Sequence, residues 1–306
     1  MRKRLFLSFI TVCFAIALSQ CSTAQTSPSS SSVQPPTVVF MTDFGVVDDS
    51  VALCKGVMYS IEPNLRVVDL THQVTPFSII DGARFLFGAS PYFPAGTVFV
   101  TVVDPGVGSA RKAVVVKTKR GQYFVLPDNG LMTLVEDRDG VESAREITNR
   151  NWMVGARLSS TFHGRDIFSP VGAHIAHGED WMQVGPELDL KTSRLVRLDL
   201  KAPALDADGI KAEIIATDGP FGNLVSNVDA ELFTQLGYKL GEEVSFRIGD
   251  RKITAPFVKT FSDVPVGKPL LYIDSRGHLG FSVNQRSAAK IYDIAPPVKF
   301  EIPRKK

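Results

Sequence analysis

Cysteine is scarce in this chain of 306 residues, which contains only three. Cys13 and Cys21 lie in or beside an N-terminal segment with the pattern of an export signal, so Cys54 is alone in the folded part. A lone thiol excludes an internal disulfide there and does not by itself form a metal site. Cys54 lies in an apolar helical pattern, and we expect it in the core.

Metal-binding signatures are also absent. His174 and His177 have helical spacing, but the chain lacks the His-Glu-x-x-His pattern of zinc hydrolases. We therefore predict no metal site and interpret these two histidines, like His72 and His278, as surface or core residues.

The chain also lacks a large excess of charge of either sign. The formal charge is +2, and it becomes −1 when Arg2, Lys3 and Arg4 are removed with the N-terminal segment. This balance does not favour nucleic acid or an anionic surface as a partner. Hydrophobic residues make up 44% and charged residues 22%, which is typical of a soluble globular protein.

No apolar run at the N-terminus reaches the roughly 20 residues of a membrane span. A basic start precedes the apolar stretch from Leu5 to Leu18, which indicates a signal peptide over residues 1–24, cleaved after Ala24. Leu18-Ser19-Gln20-Cys21 also resembles a bacterial lipoprotein box, although Gln20 replaces a small residue. We expect an exported protein, periplasmic or lipid-anchored at Cys21, with no other membrane contact. Residues 25–36 form a Ser/Pro-rich tether.

Residues 37–195 have the pattern of an α/β domain. Near-continuous apolar strands separated by helices predict a mainly parallel sheet that is covered on both faces. The predicted strands are 37–41, 65–70, 96–103, 113–117 and 122–126, and the predicted helices are 50–58 and 79–87.

The pattern changes after about residue 200. Short alternating segments between Gly, Pro and Asp turns predict a smaller all-β, barrel-like domain over residues 200–303. Its predicted strands are 209–216, 243–248, 252–255, 269–273 and 299–302.

Three short polar clusters in the first domain indicate an active site. They are Thr42-Asp43-Phe44-Gly45, Asp104-Pro105-Gly106-Val107-Gly108-Ser109 with Arg111, and Thr161-Phe162-His163-Gly164-Arg165-Asp166. The first two follow predicted buried strands, and open α/β sheets build their sites at such strand ends.

Each cluster has a structural and a functional interpretation. Asp43 can accept hydrogen bonds from a ribose diol or cap the following helix. Asp104 and Arg111 can form a purely structural pair, which is the better interpretation for the pair alone. His163 can orient or deprotonate water, or it can be a satisfied structural histidine.

Two polar turns in the second domain are further candidates. They are Thr217-Asp218-Gly219-Pro220-Phe221-Gly222-Asn223 and Asp274-Ser275-Arg276-Gly277. Either can be turn chemistry alone. As ligand-binding groups, Asp218 is suited to bind an ammonium, and Ser275 with Arg276 is suited to bind a carboxylate. These are the two charged groups of an amino acid.

These motifs together resemble the S-adenosylmethionine (SAM) hydrolases, also called SAM hydroxide adenosyltransferases, which are related to the fluorinase and chlorinase. The resemblance runs in order through nearly the whole chain after the tether. Besides the clusters above, it includes Asp48-Asp49-Ser50, Val68-Asp69-Leu70-Thr71-His72 and Pro127-Asp128-Asn129-Gly130-Leu131.

The resemblance implies a fold, an assembly and a reaction. The fold is an N-terminal α/β domain followed by a C-terminal β-barrel, in homotrimers whose sites lie between the N-terminal domain of one subunit and the C-terminal domain of its neighbour. The reaction is attack by water or hydroxide on the ribose C5′ carbon of SAM, which releases adenosine and L-methionine. SAM is the substrate, and no cofactor or metal is required.

The resemblance also implies roles for individual residues. Asp104, Arg111 and His163 would handle water, and Asp43 would hold the ribose hydroxyls. The other residues implied in substrate binding are Phe77, Phe221 and Phe261 lining the ligand, Asp48, Asp218, Ser275 and Arg276 at the methionine end, and Asn223 facing adenine.

Departures from the fluorinase favour water over halide. Lys119-Arg120-Gly121-Gln122 forms a short turn where the fluorinase has an extra loop, and Gly106 to Ser109 replace a stretch that contains a tyrosine there. Val283 stands where the fluorinase has an arginine near adenine. The alternatives are a SAM-dependent halogenase and an exported protein that binds an adenosyl compound without turnover.

Overall fold

The computed structural model describes residues 36–192 and 194–305. The signal peptide, almost all of the tether and the lipidation candidate Cys21 lie outside these residues, so their assignments stay predictions. Among the helices of the described residues, none has the length and apolar character needed to cross a membrane.

The N-terminal lobe contains a six-stranded sheet. Its strands are β1 (Thr37–Thr42), β2 (Arg66–Thr71), β3 (Val98–Val102), β4 (Ala113–Thr118), β5 (Tyr123–Pro127) and β6 (Val141–Glu146). The spatial order is β2-β1-β3-β5-β4-β6. β2, β1, β3 and β5 are mutually parallel, whereas β4 is antiparallel to both of its neighbours.

Four helices cover both faces of this sheet. They are α1 (Ser50–Ile61), α2 (Ile79–Ala89), α3 (Thr133–Asp139) and α4 (Ser169–His177). Successive strand residues point to opposite faces, so Phe40 packs in the core on the α1 and α4 side while Val39 packs in the core that contains Leu86 of α2. Cys54 is fully buried, as expected, and burial raises the pKa of its thiol to about 11.

The C-terminal lobe is an antiparallel sheet of eight strands. They are β7 (Ala204–Leu205), β8 (Gly209–Asp218), β9 (Asn223–Asp229), β10 (Glu243–Ile248), β11 (Arg251–Pro256), β12 (Pro269–Ile273), β13 (His278–Val283) and β14 (Val298–Pro303). Two short helices accompany them, α5 (Ala230–Thr234) and α6 (Ala288–Ile291).

The sheet of the C-terminal lobe curls almost into a closed barrel. Its order is β11-β10-β14-β8-β9-β13-β12, with β7 beside β8. The two edges approach each other where Phe257, just after β11, bridges to Leu271 of β12. The interior is a single apolar core that includes Phe246, Phe281 and Phe300.

The predicted fold class is confirmed in both lobes. Sequence reasoning overlooked α3, α4, α5, α6, β6, β7, β9 and β13. β6 is an edge strand with an only partly buried, charge-rich sequence, so it lacks an apolar run. In β9 the adjacent polar residues Ser226 and Asn227 interrupt the alternation of polar and apolar residues. β13 does alternate, with Leu279, Phe281 and Val283 at every second position, and this signal was overlooked.

Candidate active site

The end of β1 presents the first polar cluster at the carboxyl edge of the parallel strands. Thr42 is buried, and its hydroxyl lies 2.9 Å from Nδ1 of His72 after β2. The Gly45 amide donates to the His72 carbonyl at 2.7 Å, which turns the chain away from the sheet. Asp43 is therefore held at the strand end with its carboxylate partly exposed.

Asp43 also anchors the loop that precedes α2. Its Oδ2 accepts a hydrogen bond from the Phe77 amide at 2.9 Å. Phe77 has a φ of +66°, which a bulky residue seldom adopts, and its side chain is 74% exposed. A strained aromatic residue fixed beside a carboxylate is typical of a ligand site.

The second cluster follows β3 directly. Val107 donates its amide to the Asp104 carbonyl at 3.2 Å, which closes a tight turn after the strand. Gly108 has a φ of +78°, and a Cβ there would lie 2.5 Å from the Ser160 carbonyl oxygen. Glycine therefore lets this turn pack closely against the segment that carries the third cluster.

Asp104, Arg111 and His163 meet in one hydrogen-bonded group. Arg111 Nε lies 3.0 Å from each Asp104 oxygen, and Arg111 Nη2 also bonds to Oδ2. The same Nη2 lies 2.8 Å from Nδ1 of His163, 52 positions along the chain. The Asp104 and Arg111 side chains are 4% and 10% exposed.

This geometry fixes the tautomer of His163. A guanidinium only donates hydrogen bonds, so Nδ1 must accept and the ring proton of the neutral imidazole lies on Nε2. Burial, and next the Arg111 charge, lower the pKa of His163 below its usual 6.5. His163 is thus neutral near pH 7, with an N–H donor at Nε2 and no free lone pair.

A cleft of about 240 Å³ opens above this group. Asp43, Phe77, Asp104 and His163 all line it. The other lining residues are Phe44, Pro76, Val102, Val107, Thr161, Phe162 and Gly164. The cleft therefore combines two carboxylates and an imidazole with aromatic walls.

Sequence reasoning did not assign a role to Phe44 and Phe162. Their rings pack edge to face with centroids 5.8 Å apart, and Arg165 lies 5.0 Å from the Phe162 ring centroid. A Cβ on Gly164 would lie 2.9 Å from Phe44, so the two clusters approach closely. Both phenylalanines lie inside the quoted clusters, so their position beside the charged residues was the available signal.

The remaining candidates do not line this cleft. Asp48 is exposed and accepts the Ser50 amide at 3.0 Å at the start of α1. Six candidates belong to the C-terminal lobe: Asp218, Phe221, Asn223, Phe261, Ser275 and Arg276. We call these six residues the C-lobe group.

Tyr272 packs against one member of the C-lobe group. The Phe261 and Tyr272 ring centroids lie 4.9 Å apart. Burial, then the charges of Asp218 and Asp274, raise the pKa of Tyr272. Asp274 accepts the amides of Arg276 and His278 and so shapes the turn that presents Ser275.

Both lobes match models of one protein family. The SAM hydroxide adenosyltransferase N-terminal domain matches residues 38–185, and the C-terminal domain of the same family matches residues 212–300. The chain belongs to the SAM hydroxide adenosyltransferase family. The first range contains Asp104, Arg111 and His163, and the second contains the whole C-lobe group.

Individual relatives of the chain span the family. An (R)-S-adenosyl-L-methionine hydrolase from Salinispora tropica is 40% identical over 262 residues, covering 85% of this chain and 95% of the relative. A fluorinase from an Actinoplanes species is 32% identical over 286 residues, covering 85% of this chain and 94% of the relative. A crystal structure of an uncharacterized conserved protein from Thermotoga maritima superposes with a TM-score of 0.80 at 38% identity, covering 87% and 99% of the two chains.

Proposed function

We propose that this family member hydrolyses SAM to adenosine and L-methionine by attack of water on the ribose C5′ carbon. The observation that carries the proposal is the hydrogen-bonded group of Asp104, Arg111 and His163, in which Asp104 and His163 line the cleft and Arg111 joins them from behind. The relatives named as hydrolases at about 40% identity support the same activity.

The hydrogen-bond pattern supports a role for His163 as a donor to water rather than as its base. Nδ1 accepts from Arg111, so Nε2–H donates to the water oxygen. Asp104 accepts a water proton and turns the free lone pair of the oxygen towards C5′. Arg111 holds both partners, and alignment of this kind is a main source of rate acceleration.

The leaving group makes a strong base unnecessary. The new bond joins the water oxygen to C5′, and the bond from C5′ to sulfur breaks with its electron pair going to sulfur. The sulfonium becomes the neutral thioether of methionine, and the proton from water passes to Asp104 or onward to solvent. Phe44, Phe77 and Phe162 offer aromatic faces for the cationic sulfur and the adenine ring.

We also propose that a homotrimer completes the site. The cleft, at about 240 Å³, is smaller than the roughly 300 Å³ or more usual for ligand pockets, and the C-lobe group does not line it. Phe77 beside the cleft and Phe221 in the C-lobe group are 74% and 71% exposed, and both suit a subunit interface. Light scattering should give three chains per particle, and a monomer that hydrolyses SAM at full rate would contradict this assembly.

The function is tested by incubating the purified protein with SAM and separating the products. We expect adenosine and L-methionine in equal amounts, without added metal. Absence of adenosine, with SAM bound and intact, would favour the binding-protein alternative. Added chloride or fluoride should give no halogenated nucleoside, because the Asp104 carboxylate lines the cleft and repels an anion.

Export is proposed from the N-terminal sequence alone. Cell fractionation and mass spectrometry of the mature N-terminus should locate the protein outside the cytoplasm. A chain that begins at Gln25 would indicate simple cleavage, whereas a modified Cys21 would indicate a lipid anchor. An unprocessed cytoplasmic chain would contradict the proposal.

A further inference from the structure

Helix α2 carries a buried arginine that contacts both lobes. Arg84 is 5% exposed, and its Nη1 lies 3.0 Å from Asp81 Oδ1 one turn earlier. Its Nη2 lies 3.4 Å from Oδ1 of Asp218 in the C-terminal lobe. A guanidinium held this way fixes the position of the second carboxylate as well as the first.

Arg276 of the C-lobe group packs on the same helix. Its guanidinium carbon lies 5.6 Å from the Phe85 ring centroid. A Cβ on Gly88 would lie only 2.7 Å from Arg276 Nε, so the missing side chain at Gly88 makes room for the guanidinium. Within residues 36–192 and 194–305, no hydrogen bond or ion pair of this side chain is present, so its donors are free for a ligand.

We propose that Arg84 and Gly88 of α2 are positioning residues that set the specificity of the enzyme for the amino-acid end of its substrate. The proposal rests on the proposed function, in which Asp218 and Arg276 hold the methionine ammonium and carboxylate. Arg84 orients Asp218 by direct contact, and Gly88 leaves the space in which the Arg276 guanidinium lies over the Phe85 ring.

The charges around Arg84 leave Asp218 able to bind a cation. Both carboxylate oxygens of Asp81 already have hydrogen-bond partners, because Arg84 contacts Oδ1 and the amide and hydroxyl of Thr75 donate to Oδ2. Among the partners that the described part of the chain offers, the Asp218 carboxylate has only the long contact to Arg84, and its side chain is 32% exposed. One guanidinium shared by two carboxylates leaves a net negative charge, which suits the ammonium of an amino acid.

The same helix also supports the cleft. Asp81 holds Thr75, and two residues later Phe77 donates its amide to Asp43. Helix α2 therefore links the loop at the ribose-binding carboxylate to the groups that would bind methionine. In the proposed trimer those groups serve the neighbouring cleft, so each α2 contributes to two sites.

The test compares two ligands that differ only in the amino-acid part. S-adenosylhomocysteine carries it, and 5′-methylthioadenosine does not. Calorimetry on the intact protein gives the ratio of the two dissociation constants. We expect Gly88→Ala to reduce the preference for S-adenosylhomocysteine about tenfold, because the new Cβ displaces the Arg276 guanidinium. Binding of 5′-methylthioadenosine should stay unchanged.

Gly56→Ala in α1 is the matched control. A Cβ there meets nothing within 4 Å, so the ligand preference should equal that of the unmodified protein. A Gly88→Ala protein with an unchanged preference, or an unmodified protein that binds both ligands equally, would overturn the inference. Because the readout is binding, it differs from the adenosine assay that tests the proposed function.

Arg84 is tested with Arg84→Met and Arg84→Lys. Methionine removes the charge, and lysine keeps it without the fork that reaches two carboxylates. We expect both variants to raise KM for SAM more than they lower kcat, with lysine closer to the unmodified protein. If Arg84→Met fails to fold, the result for Arg84→Lys alone tests the proposed role of Arg84. Equal loss of affinity for both ligands would identify Arg84 as merely structural and overturn its proposed role.

Discussion

The cleft of the N-terminal lobe and the C-lobe group differ in how completely the chain itself organises them. In the cleft, Asp104, Arg111 and His163 bond to one another through short contacts. The Asp104 and Arg111 side chains are largely removed from solvent, and His163 is partly buried. In the C-lobe group, Phe221 and Ser275 are exposed. Under the proposed function, the groups that handle water are assembled within one chain, whereas Phe221 and Ser275, which would bind the substrate, face outward, as the proposed trimer requires.

Asp104→Asn has the largest expected effect and separates the two regions. The amide keeps the shape but cannot take a water proton, so kcat should fall about 10²–10⁴-fold. The affinity for S-adenosylhomocysteine should change little. Asp218→Asn should have the opposite effect. It should lower the affinity for S-adenosylhomocysteine and leave the affinity for 5′-methylthioadenosine unchanged. The exposed Asp250→Asn is the control, and equal effects of the two site variants on both quantities would break the comparison.

Gly108→Ala tests how rigid the cleft is. The new Cβ combines a φ of +78° with a contact of 2.5 Å to the Ser160 backbone, so the free energy of unfolding should fall by about 2–4 kcal/mol. Gly267→Ala in the C-terminal lobe has a similar φ of +82° and no atom within 4 Å, so about 1 kcal/mol is expected. Urea denaturation measures both values. Equal losses would show that the turn is not packed as described.

The pH dependence of the rate is a smaller and more specific effect. Burial, and next the Arg111 charge, lower the pKa of His163, so the ring stays neutral below the usual 6.5. As the pH falls through the lowered value, a proton added at Nδ1 removes the acceptor for Arg111 and disrupts the hydrogen-bonded group, although Nε2–H can still donate. We expect kcat/KM to be constant from pH 6.5 upward through neutrality and to fall in acid. A profile that rises through neutral pH would instead indicate that His163 acts as a base or starts out charged.

Much of the fold and part of the site could be predicted from the sequence. Apolar strands followed by Asp43 and Asp104 placed both carboxylates at strand ends. The contact of Arg111 with Asp104 spans seven positions, and the tight turn signalled by Gly106 and Gly108 made it a plausible pair. The convergence of His163 on that pair came only from the family resemblance, because sequence spacing alone does not reveal a contact over 52 positions.

The role of α2 could not be predicted. Asp81 and Arg84 have the spacing of an ordinary pair within a helix. The proposed positioning role of Arg84 depends on its contact with Asp218, which is 134 positions away in the sequence. Gly88 likewise has no local reason to be glycine, and only the position of Arg276 supplies one. Contacts between lobes depend on how two cores pack together, which local patterns do not encode.

Isotope labelling of the solvent tests the central claim most directly. SAM is incubated with the protein in water enriched in oxygen-18, and both products are examined by mass spectrometry. Attack at C5′ by a water molecule held between Asp104 and His163 predicts one heavy oxygen in adenosine, at the 5′ position, and none in methionine. Adenosine without the label, or label in the methionine, would contradict the account.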